Sequence, residues 1–284
     1  MTDDAAYDSW PSISRDGRTL AFRTDRGGRT YPIVRDLSSH RSIDVAIGAA
    51  DNTAAGALRT SIISPDGKTI AAVSGARALS LQPISGGNAR ALTVDVDIRR
   101  LWDWPRPALI TFSDTTGDGR AMAFALNTET GKTLKILDSP ASKYLGHARL
   151  SPDGKWMSVM DWVSDDRGRV VIVPYDGVTT ATTSQAIPVT DGQTVVEENA
   201  WSADGNTLYV VSEADGYRCI WSRRLDPRTK QPIGPLTAVA HFHRARLKIV
   251  STRDSPQRLD MSPAGLIFAM TERHSNIWMA TVKK

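Results

Sequence analysis

Two histidines, His241 and His243, stand two residues apart in the run His241-Phe242-His243-Arg244-Ala245-Arg246-Leu247-Lys248. On an extended strand alternate side chains share a face, so both imidazoles can reach one cation. Spacing supplies no third ligand among the five histidines of the chain, and no metal is assigned. The same run interleaves basic and aromatic residues in the manner of a nucleic-acid surface. No nucleic-acid-binding signature accompanies it, and it reads as a solvated strand edge. Asp114-Thr115-Thr116-Gly117-Asp118-Gly119 opens like a calcium loop but lacks the downstream bidentate glutamate, which leaves a hairpin turn. The single cysteine, Cys219, lies in the strand-like Cys219-Ile220-Trp221 and reads as a buried, inert thiol. A Gly-x-Ser-x-Gly elbow and phosphate-binding glycine loops are both missing from the sequence, so no catalytic residue and no cofactor is assigned.

A second set of chemically capable residues emerges once a recurring phrase is aligned. In Ile62-Ile63-Ser64-Pro65-Asp66-Gly67-Lys68-Thr69-Ile70-Ala71, two apolar runs flank a tight-turn signal. Pro65 presets φ, Asp66 bonds to nearby backbone, and Gly67 takes the left-handed conformation. The phrase returns as Ser14-Arg15-Asp16-Gly17, Ser151-Pro152-Asp153-Gly154, Ser202-Ala203-Asp204-Gly205 and Ser262-Pro263-Ala264-Gly265. It degenerates around Asp103-Trp104-Pro105-Arg106-Pro107. Aligned on the serine, Trp10, Thr60, His147, Glu198 and Arg258 occupy one position; Arg59 and Glu197 lie one residue earlier, and Arg99 or Arg100 falls nearby in the weak third unit. The candidate binding residues are therefore Trp10, Arg59, Arg99, His147, Glu198 and Arg258. Gathered at one channel mouth, they would clamp a peptide carboxylate or another small anion. The competing reading is a set of solvated, mutually paired rim charges.

The elements that must position these residues are short strands. Six units spaced by about fifty residues, each with about four strands, predict an all-β fold: a six-bladed β-propeller of four-stranded blades. The blades are expected over about 8–50, 57–97, 98–140, 144–192, 195–250 and 255–282 of a single domain, 1–284. Helical segments long enough for a parallel α/β sheet are not visible, and Gly and Pro interrupt nearly every would-be helix. One blade cannot bury both faces alone, so neighbours must stack and the ring must close. The large apolar residues before the turn serines, Ile13, Ile63, Leu150, Trp201 and Met261, are expected between blades, and Trp221 and Trp278 in the core. The last unit has three clear strands, so residues 1–6 are expected to complete it against 277–282.

At 284 residues, 40% hydrophobic and 23% charged, the chain can bury a large core. Its net charge of +4 is dispersed. No apolar run approaches the ~20 residues of a membrane helix, so membrane insertion is not expected. The acidic N-terminus lacks the apolar segment of a secretory signal. The chain as it stands is expected in the cytoplasm, or in the periplasm if it was cut from a membrane-anchored parent. A monomeric domain is expected, and nucleic acid is not expected as a partner.

The Ser-Pro-Asp-Gly phrases resemble the WD-repeat-like blades of TolB-type propellers. Within the last third, Asp215-Gly216-Tyr217-Arg218-Cys219-Ile220-Trp221, Arg224-Leu225-Asp226-Pro227-Arg228-Thr229-Lys230, His241-Phe242-His243-Arg244-Ala245-Arg246 and Ser275-Asn276-Ile277-Trp278-Met279-Ala280 resemble a bacterial subgroup of these propellers. In that subgroup the propeller often follows a signalling module, such as a serine/threonine kinase or a winged-helix DNA-binding domain. The resemblance implies a non-catalytic recognition or protein-interaction module, the sensor or scaffold of a larger bacterial protein, with a peptide or small anionic ligand at the channel mouth. Propellers host many functions. The other class implied is a metal-dependent lyase or hydrolase with its site in the central channel, whose histidine ligand set finds no match here.

Overall fold

The repeating unit is built outward from its turn. The structure, a computed structural model, describes residues 6–28, 31–39, 41–44, 60–114, 119–164, 167–243, 247–249 and 258–272. In the second unit Ser64 Oγ donates to Asp66 Oδ1 at 2.6 Å and accepts from Thr69 N at 2.9 Å. Lys68 N donates to the same carboxylate oxygen at 3.1 Å, and Gly67 N to the Ser64 carbonyl at 2.9 Å. The same serine–aspartate clasp recurs at Ser14/Asp16, Ser151/Asp153 and Ser202/Asp204. It survives where Arg15 or Ala203 stands in place of proline, so the Ser and Asp side chains, rather than the proline, are the constant part. Gly67, Gly154 and Gly205 take φ of +70°, +73° and +69°, as the turn requires.

Each turn joins the inner two strands of a blade. Blade one comprises β1 (Ser9–Ile13), β2 (Thr19–Thr24), β3 (Tyr31–Asp36) and β4 (Ser42–Asp44); blade two, β5 (Ser61–Ile63), β6 (Thr69–Gly75), β7 (Ala78–Pro83) and β8 (Arg90–Thr93). Blade three comprises β9 (Arg100–Arg106), β10 (Leu109–Ser113), β11 (Ala123–Asn127) and β12 (Thr133–Lys135). After β13 (Leu137–Asp138), blade four is β14 (Tyr144–Leu150), β15 (Trp156–Trp162), β16 (Gly168–Pro174) and β18 (Ile187–Pro188); β17 (Ala181–Thr182) pairs in parallel with β13. Blade five is β19 (Val196–Trp201), β20 (Thr207–Ser212), β21 (Cys219–Leu225) and β22 (Pro232–Ala240). In all five blades the strands pair antiparallel, from the first outward. The degenerate third unit keeps its hairpin because Trp104 Nε1 and Thr128 Oγ1 both donate to the Pro107 carbonyl, at 3.3 and 2.8 Å.

Among the described residues the structure has five four-stranded blades, not the six expected. The last unit contributes a hairpin, β24 (Asp260–Ser262) with β25 (Gly265–Ile267). The strand that follows, β26 (Thr271–Glu272), does not extend that hairpin but pairs with β23 (Leu247–Lys248). The expected strand at 277–282, Trp278 and the N-terminal residues 1–5 lie outside the described residues, as does 115–118 of the supposed calcium-like loop.

The hydrophobic core lies between blades rather than within them. Ala21 and Val34 of blade one meet Ile63 and Ile70 of blade two. Ile62, Leu79 and Leu81 meet Leu101, Ile110 and Phe112. Leu109 and Met122 meet Leu145, Met157 and Val171, and Met160 and Val170 meet Val196, Trp201 and Leu208. Blade five packs Ala200, Val211 and Ile220 against Leu259, Met261 and Leu266 of the last hairpin. Of the residues before the turn serines, Ile63, Leu150 and Trp201 are buried, whereas Ile13 and Met261 are only half-buried. Trp221 is half-buried against the blade four–five core.

Candidate functional site in the central channel

The inner strands carry an irregularity that aims side chains into the channel. β1 places three steps, Ser9 to Ser12, opposite two on β2, Arg23 to Ala21. One extra residue likewise sits between Gly146 and Arg149 of β14, between Val196 and Glu198 of β19, and between Leu101 and Asp103 of β9. An extra residue leaves the hydrogen-bond ladder and re-aims its side chain. Trp10 and His147, at the bulges of β1 and β14, have φ of +56° and +50°, a left-handed conformation that costs a non-glycine residue about 1 kcal/mol or more. The bulge of β9 turns the buried Trp102 toward both: its ring stacks on His147 with centroids 3.8 Å apart and lies 6.1 Å from Trp10.

The residues that align four before the turn serine share one property, burial. Trp10, Thr60, His147, Glu198 and Arg258 are all buried. His147 Nδ1 stands 2.8 Å from Glu198 Oε1, close enough for an ion pair though not aligned as a hydrogen bond. Arg258 reaches Asp260 Oδ2 at 3.4 Å. Thr60 is structural: its hydroxyl accepts from Leu101 N at 3.0 Å and ties blade two to blade three. Arg99 is exposed on the approach to β9, and Arg59 lies outside the described residues.

Two residues further along the strands is a layer that the alignment contained but did not single out. Arg149 Nη1 lies 3.6 Å from Asp103 Oδ1 and 3.8 Å from Asp260 Oδ1, and Arg149 Nη2 lies 4.0 Å from Glu198 Oε2. Arg149 Nη2 also donates to the Leu259 carbonyl at 2.8 Å, joining blade four to the last hairpin. Asp260 Oδ2 accepts from Ile13 N at 3.2 Å, joining that hairpin to blade one. Burial opposes the charge of Arg149, but Asp260, Asp103 and Glu198 outweigh it and raise its pKa. For Arg258 the same three carboxylates are outweighed: burial, then the like charge of Arg149, bring it down to about 10. Burial pushes the Asp103 carboxyl up against the pull of Arg149. Because strand side chains alternate, the spacing of two between Glu198-type and Arg149-type positions was the available signal. Trp102 gave no signal, since the third unit lacks the serine on which the others align.

This layer floors a cavity of about 320 Å³ that opens on the turn side of the ring. Its walls carry Arg15, Arg106 and Arg149 with Asp103 and Asp260, and the apolar surfaces of Ile13, Trp104, Leu150, Trp201 and Met261. Beyond the floor, Trp10 Nε1, Trp102 Nε1, both Glu198 carboxylate oxygens, and Arg258 Nε and Nη1 have no hydrogen-bond partner among the described residues. Buried polar groups in that state are rare. Among the described residues, the group that could hold a metal ion is not in the channel; it is Asp215, Cys219, His241 and His243 on blade five.

No protein-family model matches the sequence, and no curated protein matches it either. Solved structures do match the fold. A TolB-type protein from Agrobacterium tumefaciens superposes with a TM-score of 0.68 at 17% identity, over 96% of this chain and 92% of that one. TolB from Acinetobacter baumannii gives 0.61 at 15% identity, over 78% of this chain and 53% of that one, so the chain spans about half of that relative. An oligogalacturonate lyase in complex with manganese gives 0.55 at 17% identity, over 78% of this chain and 63% of that one. At these identities the likeness is one of fold, and the fold is that of the TolB-like β-propellers.

Proposed function

We propose that the chain is a non-catalytic recognition module that takes a carboxylate-bearing peptide segment into the turn-side cavity. The observation that carries this reading is the make-up of that cavity. Three arginines face two aspartates, and one of the two, Asp103, is biased toward its neutral form. The surplus positive charge suits an anionic group, and guanidinium forks match a carboxylate in two-pronged fashion. The apolar walls at Trp104, Trp201 and Met261 suit a side chain beside that group. The volume sits at the small end of ligand pockets, which favours a chain end or a single side chain over a large cofactor. The sequence resemblance to bacterial signalling propellers supports reading the domain as the sensor or scaffold of a larger protein, with a protein as its partner.

A mixed pool of short peptides with free C-terminal carboxylates, passed over immobilised protein beside the same pool amidated, tests this. The free-acid pool is expected to be retained, and Arg106→Gln is expected to weaken retention by about tenfold, the equivalent of one lost charged contact. Equal retention of the acid and amide pools would overturn the reading.

A further inference from the structure

The other cluster of chemically capable side chains lies outside the channel, at the end of blade five. Ser212 of β20 pairs with Cys219 of β21, closing a turn whose tip carries Asp215. On the other side of β21, Ile220 pairs with Ala240, so the chain leaving β22 brings His241 beside Cys219. The two histidines noted in the sequence thus meet a carboxylate and a thiol from a different hairpin. His241 Nδ1 and His243 Nε2 are 3.2 Å apart, and both contact one oxygen, Asp215 Oδ2, at 3.1 and 2.8 Å. One ligand atom from each of the four residues falls within 4.8 Å of all the others.

We propose that Asp215, Cys219, His241 and His243 form a tetrahedral site for a zinc ion. Metal–ligand bonds of about 2.0–2.1 Å to nitrogen and oxygen imply ligand–ligand edges of about 3.3–3.4 Å in a tetrahedron. The observed triangle of two nitrogens and one oxygen, with edges of 2.8, 3.1 and 3.2 Å, lies a few tenths inside that size. The donor set of one thiolate, two imidazoles and one carboxylate suits a borderline-soft ion better than a hard one such as calcium or magnesium.

The surroundings hold the ligands in place by ring contacts and backbone hydrogen bonds. Tyr217 stacks on the His243 ring at 4.3 Å, and Trp221 meets the His241 ring edge-on at 5.6 Å. Tyr217 N donates to Asp215 Oδ1 at 3.2 Å, which leaves Oδ2 to face the imidazoles. Phe242 N donates to Cys219 Sγ at 3.4 Å and holds the sulfur in place. The thiol is buried while both imidazoles are about half-exposed, so an ion can enter from the imidazole side. Four protein ligands leave no open position, which makes the site structural: it would pin the end of β22 to the β20–β21 turn. Cys219 would bind as the thiolate, its proton leaving to solvent.

Cobalt(II) is the probe, added to tag-free protein after chelator treatment. The expected result is saturable uptake at one equivalent with a thiolate-to-cobalt charge-transfer band and intense tetrahedral visible bands. Zinc should displace the cobalt and raise the melting temperature. His241→Ala and His243→Ala should each weaken zinc binding by more than about tenfold, the scale on which even outer-shell changes act. Both imidazoles are exposed, so these variants should melt like the parent without metal, which separates lost ligation from lost folding. Cys219→Ser should keep weaker cobalt binding and lose the charge-transfer band. Absence of saturable uptake, uptake indifferent to the two histidine variants, or a cobalt spectrum without the thiolate band would each overturn the proposal and leave a hydrogen-bonded Asp–His cluster.

Discussion

Arg149 and Arg258 are both buried cations in one channel, yet their energetics run in opposite directions. Arg149 is surrounded by carboxylates and bonded to the Leu259 carbonyl. Arg149→Met would leave Asp103, Asp260 and Glu198 facing one another and is expected to cost about 3–5 kcal/mol in urea unfolding. Arg258 has one carboxylate contact, and its Nε and Nη1 have no partner among the described residues. Arg258→Met is expected to change stability by less than about 1 kcal/mol, or to raise it, since replacing a poorly compensated buried charge is often neutral or favourable. The pH dependence has a definite sign. The folded chain holds the Arg258 proton less tightly than the unfolded chain, so the charge is a cost at neutral pH. That cost fades as pH rises past about 10, and the stability gap between wild type and Arg258→Met should narrow there. A parallel gap at all pH values would refute the assignment.

At the scale of the element, the turns do more than reverse the chain. A Cβ built on Gly67 would lie 2.6 Å from Thr19 Oγ1, so the turn of blade two seats directly against blade one. Gly86 also has positive φ, +90°, but no atom lies within 4 Å of its would-be Cβ. Gly67→Ala should therefore cost more than Gly86→Ala, by about 1 kcal/mol or more in chemical unfolding, and the difference isolates the inter-blade contact from backbone strain. Equal costs would mean that the turns do not meet. Much of this level was legible in the sequence. Ser, Asp and Gly at fixed offsets announce the hairpin because each satisfies a separate backbone demand. The clasp between Ser64 and Asp66 explains why the phrase tolerates Arg15 and Ala203 where proline was expected. The bulges were not legible, because an extra residue exists only relative to a partner strand, and the pairing register is a tertiary fact.

For the whole molecule, Asp260 is the side chain that ties the last hairpin to both of its neighbours among the described residues. Asp260 accepts from Ile13 N of blade one and flanks both Arg149 and Arg258, so one carboxylate spans the seam between the last hairpin and its neighbours. Asp260→Asn keeps the shape and removes the charge. It is expected to cost about 3 kcal/mol or more and to expose the seam to limited proteolysis before the blade two–three core, where Leu101, Ile110 and Phe112 are fully buried. Uniform cleavage around the ring would argue against a weak seam. The repeat predicted a propeller, but the number of complete blades among the described residues, five, came from the coordinates, because β26 leaves the last hairpin to pair with β23. The candidate site was legible by alignment up to the point where depth matters. A column of Trp10, His147, Glu198 and Arg258 reads as a ring from the sequence, whereas its place below the cavity floor depends on how far each strand runs into the channel.

The bulged positions have an evolutionary consequence. Trp10 and His147 stand outside the ladder, so the hydrogen bonds that hold their strands are largely indifferent to which side chain they carry. Folding constraints fall on the clasp residues, and diversification is free to fall on the bulges. Such a ring can change the lining of its channel by point substitution on each bulged strand while keeping its scaffold. Asparagine and glycine, which tolerate positive φ, would be the easiest steps there, and a lineage or a directed library would explore those addresses first.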